Sequence, residues 1–293
     1  MSTIDVVVVS HNSRKTLRGC VEPLCRDEGI SVVVVDNASS DRGLAAIEDL
    51  PVTALALDTN LGFAHGCNTG WRRGTHDYVL FLNPDARVDP PSLRALATVL
   101  DESPGIGIVG PRIVDESGRL EWSIRRFPRL TSTFARALFL HRLWPNAAWS
   151  DELVRNPTSY QSPADVEWLS GACLLVRRSF LEPTGGFDEA FFLYCEDKDL
   201  CRRAWDSGLA VRYVPEAVAV HLEGGGASCQ RARLLPVLAA SRVRYARKHS
   251  GRWYATAERI GLALGGLTHA AVGRPRETRR GHMRSAVVAL IGT

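Results

Sequence analysis

No stretch of this 293-residue chain approaches the ~18 consecutive apolar residues that a membrane-spanning helix requires. Met1–Asp5 runs straight into a strand-like segment, without the basic and then apolar leader of a signal peptide. The expectation is a protein neither secreted by the usual route nor integral to a membrane. Lysine is scarce: only Lys15, Lys198 and Lys248 occur, and arginine supplies the rest of the positive charge, a bias that reflects codon usage more than function. Seven scattered cysteines contain no C-x-x-C pair, which argues against a zinc ribbon or a full disulfide framework and for reduced cytoplasmic thiols. Internal repeats and low-complexity tracts are missing too.

Three nucleotide and hydrolase signatures are absent or misplaced. No G-x-x-x-x-G-K-[ST] exists, which excludes a P-loop phosphotransferase. No G-x-S-x-G elbow exists, which argues against an α/β hydrolase. A G-x-G-x-x-G run does occur at 105–110, but inside a strand-like segment closed by Pro111 and away from any strand-to-helix turn. It reads as coincidence and disfavours a dinucleotide dehydrogenase.

What is present is a core-forming composition, 45% apolar and 23% charged, which rules out global disorder. The net charge of +4 hides an asymmetry. Residues 231–284 hold 13 basic and two acidic side chains, while residues 1–230 hold 23 basic and 30 acidic ones. A basic tail on an acidic body seeks polyanions, such as anionic lipid, nucleic acid or diphosphates; a solvated helical face is the plainer alternative. Nucleic acid is disfavoured, since 231–284 offers only Tyr245, Trp253 and Tyr254 for base stacking.

Hydrophobic patterning alternates strands with helices. Val6–Val9, Val32–Val35, Val52–Leu57, Tyr78–Leu82 and Ile106–Val109 read as strands, the first two apolar without alternation, as in a parallel sheet buried on both faces. Helices are expected near 13–24, 62–74 and 91–100. The fold class is therefore α/β, a mostly parallel sheet with right-handed crossovers. Residues 115–165 read as an insertion with a short helix near 131–142, followed by a strand over Trp168–Val176 and a helix over Glu196–Ser207. Two short strands follow, Ala210–Val214 and Ala217–Val220, and then helices over 231–250 and 253–272. The expected division is a catalytic domain at 1–230 and a basic, partly amphipathic helical extension at 231–293.

Ligands of parallel sheets sit outside the carboxyl ends of the strands. Polar groups collect at those ends: Ser10 and Asn12, Asp36 and Asn37, Asn60 and Gly62, Asn83 and Asp85. Asp85 can hold a divalent cation bridging two phosphates, although Asn83-Pro84-Asp85 is also a good turn. Asp36 can accept from a pyrimidine N3–H or cap a helix. Residues 60–68 combine glycines with amides, suiting a nucleotide sugar or a simply capped helix. Glu196-Asp197-Lys198-Asp199 is the densest acidic cluster; it suits a general base or plain complementarity with a helix N-terminus. His221 alone reads as a metal ligand or as a structural histidine.

Together these segments resemble the family 2 glycosyltransferases of the GT-A fold, most closely the bacterial rhamnosyltransferase-like branch. The carriers are VVVVSHN (6–12), VVVDNASSD (33–41), NLGFAHGCNTG (60–70), FLNPDA (81–86), WLSGACLLVRR (168–178), GGFDEAFFLYCEDKDLCRRA (185–204), HLEGGGAS (221–228) and SRVRYARKHSG (241–251). The resemblance implies a nucleotide-binding half and an acceptor-binding half sharing a crevice. It implies that Ser10, Asn12, Asp36, Asn37, Asn60, Gly62 and Asn68 line the nucleotide pocket. Asp85 would match the last carboxylate of the metal-binding D-x-D triplet, whose first position is here the neutral Asn83, and His221 a second ligand for Mg²⁺ or Mn²⁺. Asp197 would match the catalytic base and Glu196 its acidic neighbour, with Trp168, Ser170 and Gly171 where acceptor and donor sugar meet. The implied reaction is inverting transfer from a dTDP- or UDP-sugar, rhamnose foremost, to a saccharide or lipid-linked acceptor of the cell envelope. Residues 231–284 would rest on the anionic inner face of the plasma membrane. The rival is a non-catalytic nucleotide-sugar-binding or scaffold protein. The catalytic reading requires Asp85 and Asp197, far apart in sequence, to converge.

Overall fold

The valine runs bounded by polar turns become the central strands. A computed structural model describes residues 3–222, 228–272 and 276–291. Strands β1 (Ile4–Ser10), β2 (Ile30–Asn37), β3 (Val52–Leu57) and β4 (Tyr78–Leu82) pair in parallel, with Ser10 opposite Asp36 and Val8 opposite Leu82. β5 (Ala86–Val88), β6 (Ile106–Val114), β7 (Ala164–Asp165), β8 (Cys173–Arg177) and β9 (Ala210–His221) complete a nine-stranded sheet among the described residues. Its order is β3-β2-β1-β4-β8-β6-β9-β5, with β7 on β9. β8 runs antiparallel to both β4 and β6. The expected strand over Trp168–Val176 is thus interrupted: Trp168–Leu169 and β8 flank a turn at 170–172. The two expected strands after 210 are one, with a register shift between Val214 and Val218 around Pro215, which has no N–H to donate.

Helices α1 (Arg14–Val21), α2 (Phe63–Trp71) and α3 (Pro90–Glu102) cover the sheet. Leu17, Leu24, Leu93, Leu96 and Leu100 bury against Ile4, Val6, Val8 and Leu80. Ser13 does not cap α1; the first N–H, that of Arg14, is taken by Asp41 Oδ2 at 2.8 Å. Gly66 and Gly70 of α2 lie flat on β1, where a Cβ on Gly66 would stand 2.7 Å from Val9 and one on Gly70 would strike Val7. Their close approach is to the sheet and not to a ligand.

At the end of the sheet opposite the polar strand ends, Asp5 is 2% exposed. Its carboxylate meets Arg178 at 2.6 Å and His76 at 3.0 Å, and accepts the His76 N–H at 2.9 Å. Arg178 also donates to the carbonyls of Trp71 and His76. This one guanidinium joins β1, the end of α2 and the start of helix Arg178–Thr184.

Contacts divide the chain differently from the expected boundary at residue 230. Residues to Ile124, Pro157–Ala190 and those from Asp197 to the end of β9 form one unit. Arg125–Asn156 and Phe191–Glu196 group with the C-terminal helices in a second. The second unit contains α4 (Leu130–Ala137), α5 (Ser228–Val272, broken at Gly251 with φ 82°) and α6 (Arg276–Ile291), the last within the expected helical extension but not delimited as a helix from sequence. Arg242 is largely enclosed there, 2.8 Å from Glu152 and 2.7 Å from Glu258, and Thr133 Oγ1 donates to Glu258 at 2.6 Å. Burial opposes the Arg242 charge, and the two glutamates overcome it and hold the guanidinium above its ordinary value. Part of the basic surplus is therefore internal framework. Residues 223–227, within the expected HLEGGGAS run, lie outside the described residues.

Replacing Arg178 with Met strands the buried Asp5 carboxylate, and stability should fall by about 3–5 kcal/mol in chemical denaturation. A loss below about 1 kcal/mol would show that the pair behaves like an exposed ion pair.

Candidate active site

The parallel strands deliver their polar ends to one edge. Ser10 is fully buried at the end of β1, beside Asp36, and its hydroxyl makes no hydrogen bond. Asn12 has left-handed backbone (φ 56°), as do Ala38 (φ 58°) and Arg42 (φ 56°). Such strain collects at functional loops. Asn12 N donates to Ser39 Oγ at 2.9 Å, and Asn12 Oδ1 accepts from Ser40 N at 2.9 Å, latching the loops after β1 and β2 together. Asp36 turns onto Ser39, accepting its N–H at 3.2 Å and a short bond from its hydroxyl.

Asn37 Nδ2 donates to Asn60 Oδ1 at 2.9 Å and to the Gly62 carbonyl at 3.1 Å, while its Oδ1 accepts from Leu61 N at 3.0 Å. The two asparagines therefore shape the loop into α2. Gly62 begins that helix at φ 94°, open to glycine at little cost. Asn68 is different from the expectation. It is buried, donates to the Phe187 carbonyl and Glu189, both at 2.8 Å, and accepts from Phe187 N and Trp71 Nε1 at 2.9 and 3.1 Å. With all four bonds made inside the protein, it holds the Gly186–Phe187 turn in place of a nucleotide.

The turn after β4 carries Asn83 and Asp85. Asn83 N donates to the Ala172 carbonyl at 2.9 Å, and Leu222 N donates to the Asp85 carbonyl at 2.8 Å. Pairing of Ala86 with His221 brings the imidazole alongside, with Nε2 3.4 Å from Asp85 Oδ1. His221 Nδ1 lies 3.0 Å from Glu121 Oε2. The Asp85 carboxylate, aided by Glu121 and against the effect of burial, raises the imidazole to about 9. Sequence reasoning missed Glu121: it sits in the irregular segment before residue 165, a hundred residues from its partner.

Asp197 opens helix Glu196–Asp206. Its Oδ2 accepts the Gly171 N–H at 2.9 Å and its Oδ1 the Lys198 N–H at 2.7 Å. A Cβ on Gly171 would lie 3.1 Å from that of Asp197, so glycine permits the approach. Gly171 adjoins Ala172, which receives Asn83. Asp85 and Asp197 thus flank one short, hydrogen-bonded stretch of backbone. Ser170 N donates to the Ser123 carbonyl at 3.1 Å. Trp168 is buried, with the Lys198 ammonium 4.9 Å above its ring, so little indole is open to an acceptor. Glu196 is buried as well and groups with the second unit.

The donor set at Asp85 and His221 suits a divalent cation. A carboxylate oxygen and an imidazole nitrogen converge, while the other ring nitrogen is held by a carboxylate, the usual support for a ligating histidine. Among the described residues no group of three or more His, Cys, Asp and Glu side chains is arranged around a metal, so substrate and water oxygens would complete the coordination.

Comparison with known proteins agrees with this architecture. The model of the family described as glycosyl transferase family 2 matches residues 5–155. This chain belongs to glycosyl transferase family 2. Among curated relatives of the family 2 chain, the N-acetylglucosaminyl-diphospho-decaprenol L-rhamnosyltransferase of Mycobacterium tuberculosis is 34% identical over 246 residues, 79% of this chain and 80% of the relative. Rhamnosyltransferase WbbL of Escherichia coli is 27% identical over 232 residues, 74% of this chain and 82% of its own length. The family 2 chain is therefore rhamnosyltransferase-like, and its activity is glycosyl transfer. Its fold is GT-A: the mannosyltransferase PcManGT from Pyrobaculum calidifontis, solved with GDP-Man and Mn²⁺, superposes with a TM-score of 0.58 at 19% identity, over 99% of this chain and 87% of that one.

Because His221 titrates higher folded than its ordinary 6.5, its carboxylate contacts stabilise the fold fully below about pH 6.5 and cease to do so as pH rises through about 9. Thermal unfolding of the parent and His221→Gln chains should differ most near the lower value and converge above the higher. A gap independent of pH would contradict the ion-pair account.

Proposed function

We propose that the chain is an inverting transferase that moves a sugar, rhamnose foremost, from a dTDP- or UDP-sugar to a lipid-linked saccharide of the cell envelope. The names of its relatives in Mycobacterium tuberculosis and Escherichia coli support the sugar, and the former's name supports the lipid-diphosphate acceptor. Ser10, Asn12, Asp36, Asn37, Asn60 and Gly62 would surround the nucleotide, with Asp36 accepting the pyrimidine N3–H. The left-handed backbone at Asn12 and Ala38, in the loops after β1 and β2, favours this. Asn83 would support the diphosphate as a neutral neighbour. Basic groups in 231–284 would keep the chain at the anionic inner face of the membrane, where such acceptors reside; no helix among the described residues is long and apolar enough to cross it.

Asp197 acts as base. Its two backbone N–H bonds fix the carboxylate while leaving lone pairs for the acceptor hydroxyl. As Asp197 takes that proton, the acceptor oxygen forms its bond to the anomeric carbon and the bond to the diphosphate oxygen breaks on the opposite face, so configuration inverts. Asp85 and His221 Nε2 would hold the cation, with Glu121 orienting the ring. When bound, the metal offsets the charge growing on the leaving diphosphate. The observation supporting this most is the bonded path Asn83–Ala172–Gly171–Asp197, which puts base and metal candidates on either side of one turn.

Asp197→Asn should leave donor titrations nearly unchanged and lower turnover about 10²–10⁴-fold in a radiolabelled sugar-transfer assay. Unchanged turnover removes Asp197 from the base role. Asp85→Ala should abolish the strengthening of donor binding by Mn²⁺. If parent donor affinity is the same with and without Mn²⁺, the metal assignment fails.

A further inference from the structure

Within the second unit, the helical segment after Gly251 carries an unusual surface. Between Trp253 and Val272 the only formally charged residues are Glu258 and Arg259. Glu258 is withdrawn from the surface, and Arg259 is tied to the end of α6. Glu258 is 1% exposed against Arg242 and Thr133, and Arg259 donates to the carbonyls of Ala289 and Leu290 on α6. What remains outside is Trp253, 90% exposed, with Ile260 and Leu267 at successive seven-residue steps. On α6 the exposed apolar residues are Met283, Val287, Leu290 and Ile291.

The two stripes form one face. The helices run antiparallel, since Arg259 bonds near residue 289 while Arg279 donates to the Ala270 carbonyl at 3.0 Å. They pack so closely at Gly266 that a Cβ there would stand 2.8 Å from that of Ala286. Leu267 directly follows Gly266 and Val287 directly follows Ala286. Each is therefore rotated ~100° from the helix contact in the same sense about its own axis. In an antiparallel pair that rotation carries both to the same side. Arg276, Arg280 and Arg284 stand seven residues before Met283, Val287 and Ile291 and so continue this face toward the start of α6, where Arg233, Arg280, Arg284 and Glu277 line a shallow cleft. Glu277 is the only acid after Glu258.

We infer that this two-helix face inserts into the interface of an anionic phospholipid bilayer. Trp253, Ile260, Leu267, Met283, Val287 and Leu290 enter the headgroup–acyl boundary, and the α6 arginines meet lipid phosphates. A face headed by tryptophan, apolar at one end and arginine-bearing at the other, matches the chemistry of that boundary, whose acyl side is apolar and whose headgroup side is anionic. This rests on the reading of the chain as one that works at a membrane, and deepens it: attachment is by apolar insertion at named residues, with charge as the guide and not the whole attraction.

The test uses the full chain and vesicles of phosphatidylglycerol and phosphatidylcholine containing no glycosyl acceptor. The parent should co-sediment with them and retain part of its binding in salt that screens charge. Brominated acyl chains should quench its tryptophan emission, and Trp253→Phe should remove that quenching. Ile260→Asp with Leu267→Asp, both at exposed positions, should weaken partitioning at least tenfold with circular dichroism and melting temperature unchanged. No partitioning, or partitioning indifferent to these substitutions, overturns the inference. So does a dimer in light scattering that the same substitutions dissociate, because the face would then pair with a second copy. A chain that partitions yet transfers no sugar would defeat the proposed function alone, and an active chain that ignores vesicles would defeat this inference alone.

Discussion

One reversal of direction in the sheet governs the candidate site. β8 runs opposite to β4 and β6, so its first residues arrive at the edge where β1, β2 and β4 finish. A buried backbone N–H must find an acceptor, and that of Asn83 finds Ala172 just before β8 begins. The Gly171 amide, next in line, then points at Asp197. Had β8 run parallel, the turn at 170–172 would lie at the far end of the sheet, and the two aspartates would share nothing. Gly171 is the second half of this constraint, since a methyl group there would crowd the carboxylate it serves.

The parallel half was readable because continuous valine runs have one stable home, a strand covered on both faces. Tyr78–Leu82, buried throughout, matches the structure residue for residue. Val52–Leu57 matches as well, as an edge strand with no buried residue. Elements that depend on distant partners were not readable. β5 is three residues long and exists because β9 lies beside it. α6 mixes arginines and exposed apolar residues on one stripe and is held by packing against α5 around Gly266. Site residues followed the same rule. Those at strand ends could be placed by direction alone, and Asp197 by its helix start. Glu121 had no local signal. Asn68, polar and next to glycines, gave a misleading one, because burial assigned its amide to the Gly186 turn.

Charge needed the same correction. Counting basic residues in the C-terminal region pointed to a basic tail that seeks polyanions or to a solvated helical face. In the folded chain Arg242 is a largely enclosed tie between α4 and both segments of α5, and Arg259 and Arg279 close helix ends by bonding carbonyls. Those that remain at the surface are shared between α5, with Arg233, Arg244, Arg247, Lys248 and Arg252, and α6, with Arg276, Arg280 and Arg284.

The Asp5–Arg178 tie occupies the rim of the sheet remote from the polar strand ends. Foldability and chemistry are thereby assigned to different places. Substitutions in the loops after β1, β2 and β3 fall at the opposite rim, while the buried charge pair goes on anchoring the strands. Change at one rim is thus insulated from the question of whether the polypeptide folds at all.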